Sequence, residues 1–576
     1  MRDNGNNPAL PRLLSRRQLL AQATAASLTT VLAACGGTGQ QSTPTPNAKP
    51  SSAAQPTTAN LTAAGAATTG GKAGGTFNLS WAGPPIGFLG DFNAMSALGT
   101  SWFSKYFSSL VAWDPKFTAI HGEIADKWDI SADQKTWTFK LHEGIKFHDG
   151  QPLTADDVNF TIHLVLNKDF PARASSVLNV IDGATEFTAG QADHVRGITV
   201  VDPTTIKITT TEPQASLLNS LAQTWILPKH VLASIPAATL TKSDWWKTTP
   251  IGSGPFKFVQ QQADQFVELA AFPDYFRGAP KIARIVNRIY KEPGTALLAL
   301  EKGEIDFTYV AQDEAARLQS NAKITVLPGP SLVPNNLLFN LDDPRFKDQR
   351  VRQAFMYALD RKNIVDKLFK GAATLIQSPF SLAQYLPPDL NTYGLDVNKA
   401  KALLKEANWK ADDTVEMLTW YNDQLSQDIY VALQQQFAAV GIKMQLRMVD
   451  IAAFTQAQVD GKFQICYYGA GNGPDPDQVR SQFASTSVPP KGYNYSRYKN
   501  PQVDQLLLDG AQTLDTQKRS AIYQQVARLM NQDLPGAWLW ESTRFGAVNK
   551  RVQDFVYTPA PVFARYDDHS ETWSLV

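Results

Sequence analysis

Between Trp128 and Phe160 the hydrophobic positions change period. Trp137, Phe139 and Leu141 alternate with Thr136, Thr138 and Lys140, so one face of an extended chain is apolar and the other polar. Glu143-Gly144 can turn the chain, and Ile145, Lys146 and Phe147 resume the alternation, which predicts a β-hairpin. Asp149-Gly150 closes that second strand with another turn. After Pro152 the period lengthens: Val158, Ile162, Val165 and Leu166 stand at i, i+4, i+7 and i+8 on one helical face. Thr154 is placed to cap this helix, with Asp157 three residues on as the acidic half of a capping box. Hairpin, turn and capped helix account for the stretch without a catalytic group.

The same reading extends along the chain. Gly75 to Trp81 predicts a first strand, and Trp102, Phe103, Tyr106, Phe107 and Leu110 follow at the spacing of a buried helical face. Residues 197–208 read as a hairpin turning at Asp202-Pro203. Gly252-Ser253-Gly254 resembles a phosphate loop only superficially. Pro255 removes a backbone donor where a phosphate would need one, and no Lys-Ser/Thr pair follows. Ala296 to Lys302 predicts a helix ended by Gly303, and Val351, Ala354, Phe355 and Ala358 share one face of another.

Length, 576 residues, points to two to four compact units, and 43% hydrophobic against 19% charged residues describes a globular protein. Lys+Arg number 54 and Asp+Glu 53, so no basic excess exists to hold a nucleic acid. Ser15-Arg16-Arg17-Gln18-Leu19-Leu20 resembles a twin-arginine export signal, and the weakly apolar run to Ala34 is too polar and short to span a membrane. Leu32-Ala33-Ala34-Cys35 resembles a lipobox, in which Cys35 would carry the lipid; a plain Tat or Sec signal is the alternative. Residues 1–35 are thus an export signal. Residues 36–75 are mostly Gly, Ser, Thr, Ala, Pro and Gln, with only Lys49 and Lys72 charged and no large apolar residue beyond Leu61, a flexible tether with a reach on the order of 35 Å. The other cysteine, Cys466, lies in an apolar strand and is expected to be buried and inert.

Together, the run from Trp128 to Val158, the Gly252-Ser253-Gly254-Pro255 bend, Gly303-Glu304-Ile305-Asp306 and the Val351–Arg361 helix (VRQAFMYALDR) are similar to the bacterial extracellular solute-binding proteins of family 5. These are the oligopeptide- and dipeptide-binding components of ABC importers and their relatives. The resemblance covers essentially all of 75–576 and implies an α/β chain with the type II periplasmic-binding fold: two main lobes plus an inserted third. Lobe Ia would comprise 76–118, 247–326 and 533–576, lobe Ib 119–246 and lobe II 327–532. Two crossing strands would form the hinge, with Phe339, Asn340 and Leu534 at the crossings, and a solute would be enclosed as the lobes close. The implied partners are a small solute, an ABC permease with its ATPase, and a membrane reached through the Cys35 lipid on the outer face of the cytoplasmic membrane. The protein would be a monomer without cofactor.

The resemblance places solute selection on the loop after Tyr467-Tyr468. Peptide-binding members carry there an Asp that pairs with the ligand's α-amino group. In this chain the matching position is Asn472, or Gly471 with a one-residue insertion, ahead of Asp475-Pro476. An Asn lacks the charge for an ammonium, which weakens the case for free-N-terminal peptides. Tyr467, Tyr468, Trp420, Tyr421, Trp81 and Trp102 could instead stack on sugar rings, making oligosaccharide the second candidate. His142, His148 and His163 show no metal-ligand spacing, so no metal is expected. The rival class is a secreted hydrolase using Asp475 and Asp477, but these flank one Pro, and one of them is placed to cap the next helix. No GxSxG or HExxH motif supports an enzyme.

Overall fold

The computed structural model describes residues 74–80, 103–170, 178–240, 242–262, 264–410, 413–471, 473–559 and 566–576. The export signal with Cys35, nearly all of the tether, and the candidate ligand contacts Trp81, Trp102 and Asn472 lie outside the described residues.

Among the described residues, strand β1 (Thr76–Ser80) is followed by a 3-10 turn at Phe103–Lys105. The helix expected to continue to Leu110 does not form. Phe103, Tyr106, Phe107 and Leu110 are all buried, but the carbonyls of Tyr106, Ser108 and Leu110 accept hydrogen bonds from Gly254, Ile226 and Glu123, so they cannot serve a helical ladder. Strands β2 (Val111–Trp113) and β3 (Ile120–Gly122) then pair as a small antiparallel ribbon.

Strands β4 (Ala125–Ile130), β5 (Thr136–Leu141), β6 (Ile198–Asp202) and β7 (Thr205–Thr209) form a separate sheet in the order β4-β5-β7-β6. Trp137, Phe139 and Leu141 are buried as their alternation requires. The hairpin partner differs from expectation: β5 pairs back with β4, Trp128 facing Phe139, whereas Ile145–Phe147 makes an isolated bridge between Lys146 and Pro152. Both edges of β5 are already taken, by β4 and β7, so no ladder is open to a third strand. Helix Ala155–Leu166 closes over this sheet with Val158, Ile162, Val165 and Leu166 fully buried. Asp157 Oδ2 accepts from the Thr154 amide at 2.9 Å, while its Oδ1 accepts from the Lys229 amide at 3.0 Å.

The large sheet begins with β8 (Phe256–Gln262), β9 (Phe266–Ala271), β10 (Arg284–Arg288) and β11 (Phe307–Val310). Gly252 and Gly254, just before β8, press on the Tyr106 backbone; a Cβ on Gly252 would fall 1.7 Å from the Tyr106 carbonyl oxygen. The sheet continues with β12 (Ile324–Phe339), β13 (Ala373–Leu375), β14 (Thr414–Thr419), β15 (Lys443–Met448), β16 (Ile465–Gly469) and β17 (Gly536–Asn549). Its order is β15-β14-β16-β12-β17-β11-β1-β10-β9-β8, with β13 also paired to β17.

Two large cores lie along this sheet. One gathers residues from Phe77 to Leu332 and from Val548 to Trp573, the other residues from Leu337 to Trp540. Strands β12 and β17 serve both. β12 leaves the first core at Leu332 and enters the second at Leu337; the β12–β17 register shifts between Pro330 and Pro334 and again at Asn335-Asn336. Three prolines, at 328, 330 and 334, interrupt a central strand, where each removes a ladder donor. Phe339, Asn340 and Leu534 are instead buried at the second core: Phe339 and Leu534 are fully enclosed, and Asn340 donates to the Gly461 and Phe463 carbonyls at 3.0 and 2.8 Å.

Candidate functional site: the cleft at the strand crossing

At the register break Leu332 takes a positive φ of 54°, and its amide donates to Glu541 Oε1 at 2.8 Å. Glu541 is buried, and burial pushes its carboxyl above the usual carboxylate range. The loop after β16 starts against this break: the Ala470 amide donates to the Pro334 carbonyl at 3.0 Å, and a Cβ on Gly469 would meet Val333 at 2.5 Å.

A cavity of about 380 Å³ opens beside the crossing. Leu327 to Pro330 of β12 form one wall, Lys116, Phe117, Tyr557 and Pro559 line the first-core side, and Leu382 reaches in from the other. Leu382 packs against both cores. It also lines a water-sized hollow of about 10 Å³ beneath the loop, together with Tyr385 and Gly473 to Pro476. Leu382 therefore lies between the loop after β16 and the cavity between the cores. The cavity walls are Pro, Leu, Phe and Tyr, with one exposed ammonium at Lys116, a surface suited to an apolar or extended organic solute.

The candidate residues fall into distinct environments. Tyr467 is buried against Tyr421, Tyr430 and Trp540, while Tyr468 points to the opposite face of β16 and packs on Phe454. Trp420 is half-buried with its ring 4.4 Å from that of Tyr421, and the Tyr421 hydroxyl accepts from the Gly469 amide at 2.9 Å. Tyr421 and Tyr467 thus brace the loop from behind.

Asp475 is also turned inward. Its two oxygens accept from Arg519 at 2.8 and 3.0 Å, and Oδ1 accepts from the Asp477 amide at 2.9 Å. Asp477 forms a second fork with Arg480, both contacts at 2.8 Å, and makes no side-chain cap on the helix that follows. Instead Asp475 holds the turn into that helix. Burial alone would lower the Arg519 guanidinium; Asp475 and Tyr523 beside it more than offset this and hold it above its ordinary value. Two carboxylates committed to arginines are not arranged as a hydrolytic pair. Cys466 is fully buried, and burial pushes its thiol up to about 12.

Lys116, Leu382, Tyr557, Pro559 and Glu541 were not among the candidates named from sequence. Four of them come from segments with no motif. Glu541 belongs to the crossing, and Pro334, which it faces across the ladder, together with the Pro328-Gly329-Pro330 run just before, is the legible sign.

Known proteins share this architecture. The family profile described as "Bacterial extracellular solute-binding proteins, family 5 Middle" matches residues 119–490. A Brucella melitensis protein named for peptide binding in an ABC transporter is 36% identical over 525 residues, which cover 90% of this chain and 96% of that one. The ABC transporter substrate binding protein CtaP of Listeria monocytogenes superposes with a TM-score of 0.75 at 28% identity, covering 88% of this chain and 100% of CtaP. The oligopeptide-binding protein AppA of Bacillus subtilis, solved with a nonapeptide, gives a TM-score of 0.71 at 25% identity over 87% of this chain and 99% of AppA.

Proposed function

We propose that this chain, which belongs to the bacterial extracellular solute-binding proteins of family 5, captures a peptide-like solute between its two cores and delivers it to an ABC importer. The observation that carries this reading is the crossing. β12 and β17 run from one core into the other with a register break between them, and a cavity opens beside that break. Such an arrangement lets the lobes swing, and a solute touching both sides shifts the balance toward closure. Contacts already bridge the two sides: Leu382 and Leu514 pack against the first core, and the Ala215 amide donates to the Ala511 carbonyl at 2.8 Å.

In this reading the lobes keep the order Ia, Ib, Ia, II, Ia of the sequence analysis, with the crossings moved to 333–336 and 541–546, where the chain changes cores. Asn472 is assigned to solute selection from its place in the sequence, and Trp420 and Tyr468 are taken as rim residues. Export follows from the family, and acylation at Cys35 would tether the monomer to the outer face of the cytoplasmic membrane for docking on the permease. The family consists of transporter binding proteins, and the inward-turned Asp475 and Asp477 assign no catalysis to this loop. Oligosaccharide is the second reading, favoured by Asn472 standing where peptide-binding members carry Asp.

A thermal-shift panel of peptides and oligosaccharides tests the proposal. A native-state ligand at a hundred times its Kd stabilises by about 2.7 kcal/mol. We expect peptides to raise the Tm; a panel in which glycans alone do so transfers the assignment to sugars, and hydrolysis of any member removes it.

A further inference from the structure

Two histidines and a carboxylate meet at one point outside the cleft. His121 projects from β3 and His569 from the C-terminal segment, with Asp567 between them. One ligand atom from each lies within 4.8 Å of the other two. His121 Nε2 is 3.0 Å from Asp567 Oδ2, and His569 Nδ1 is 3.6 Å from Asp567 Oδ1 and 3.4 Å from Glu571 Oε1. The two imidazole rings are parallel within 9° at 6.3 Å. Asp567 is 3% exposed in its side chain, whereas His121 and His569 are 37% and 45% exposed, so the cluster has a fixed floor and an open mouth.

From these contacts we propose that His121, Asp567 and His569 form a binding site for a divalent first-row transition ion. A tetrahedral ion about 2.1 Å from each ligand atom sets those atoms about 3.4 Å apart. The two His–Asp567 separations, 3.0 and 3.6 Å, bracket that value, and the two His569 contacts, to Asp567 and to Glu571, are too long for good hydrogen bonds. Imidazole with carboxylate is the donor set of Zn²⁺, Co²⁺ and their neighbours.

The surroundings supply an independent pointer. Glu571 is 7% exposed, and its Oε2 is buried with no hydrogen-bond partner among the described residues. Arg277 forks onto Asp567, with Nη2–Oδ1 at 2.9 Å, and its Nε lies 3.4 Å from Glu571. With both imidazoles neutral, the two carboxylates against one guanidinium leave a net charge of −1, which a dication reverses. Arg277 orients the ligating carboxylate from behind, the usual outer-shell role. Lys105 is occupied with the adjacent Asp568. A bound ion would tie the β2–β3 ribbon to the C-terminal segment, away from the hinge.

The test is titration of the metal-stripped full chain with Zn²⁺ by calorimetry and with Co²⁺ by visible absorption. The expected result is one ion per chain at micromolar Kd or tighter, a Co²⁺ d–d band displaced by Zn²⁺, and a Zn²⁺-dependent rise in Tm. His121→Ala and His569→Gln should each weaken binding at least tenfold and abolish the Tm rise. Both side chains are partly exposed, so the variants' melting in EDTA should match the wild type. Substoichiometric binding by the wild type, or unchanged affinity in both variants, overturns the site.

Discussion

The segment 128–160 and the loop after β16 both turn some polar side chains inward, yet to different ends. In the first, His148 binds the Gly252 amide through Nδ1 at 3.2 Å and the Gly254 carbonyl through Nε2 at 3.0 Å, and Asp157 holds both its cap and Lys229. These contacts stitch three loops into one sheet-and-helix body. In the second, Asp475 and Asp477 clamp the far end of the loop to Arg519 and Arg480, while its near end rests on the crossing. Among the described residues, what remains open beside the loop is the cavity lined by Leu382. The first region carries the pattern shared with the family; in the function proposed above, the second selects the cargo.

The sharpest way to break this contrast is Asp475→Ala. It leaves Arg519 buried without its counter-charge, and loss of one partner of a buried pair costs about 3–5 kcal/mol. Chemical unfolding should show that loss; a change below about 1 kcal/mol would mean that the loop is not clamped from inside.

His148 probes the other region. Burial lowers its pKa to about 4, against 6.5 in the unfolded chain. Above pH 6.5 both states are neutral and stability is complete. As pH falls from 6.5 toward 4 the unfolded state takes up the proton first, so stability declines. Between pH 7.5 and 5 the wild type should lose about 1–2 kcal/mol more than His148→Gln. Equal losses in the two proteins would remove His148 from its structural role.

Smaller effects are expected where the solute sits. Leu382→Ala deletes a side chain shared by both cores and should weaken solute binding about fivefold, the equivalent of roughly 1 kcal/mol. Calorimetry would reveal this, and an unchanged Kd would separate Leu382 from closure. Asn472→Asp should raise affinity for peptides with free amino termini about threefold or more, and leave N-acetylated peptides unaffected. Equal response by both classes would show that the loop register is wrong.

Local patterns were legible where neighbours in sequence decide the outcome. Thr154 and Asp157 announce their helix, and Trp137, Phe139 and Leu141 announce their face. Ile145–Phe147 alternates like a strand yet finds no ladder, because the occupancy of both β5 edges depends on residues 125–130 and 205–209. The Phe103–Leu110 pattern marked burial correctly but not conformation, since distant amides claim its carbonyls. The Asp475–Arg519 pair spans 44 residues, and His121 meets Asp567 across 446. No spacing rule reaches so far. The family motifs reach across such distances, as Arg361 shows: buried, it donates to the Ile376 carbonyl at 2.8 Å and also to those of Trp538 and Thr392, holding the start of β17.

The central claim is that a peptide-like solute closes two lobes about the β12–β17 crossing. Small-angle X-ray scattering of the chain with and without the best peptide from the binding panel tests it most directly. The account predicts a smaller radius of gyration in the peptide-saturated protein. A bound peptide that leaves the radius unchanged would contradict it.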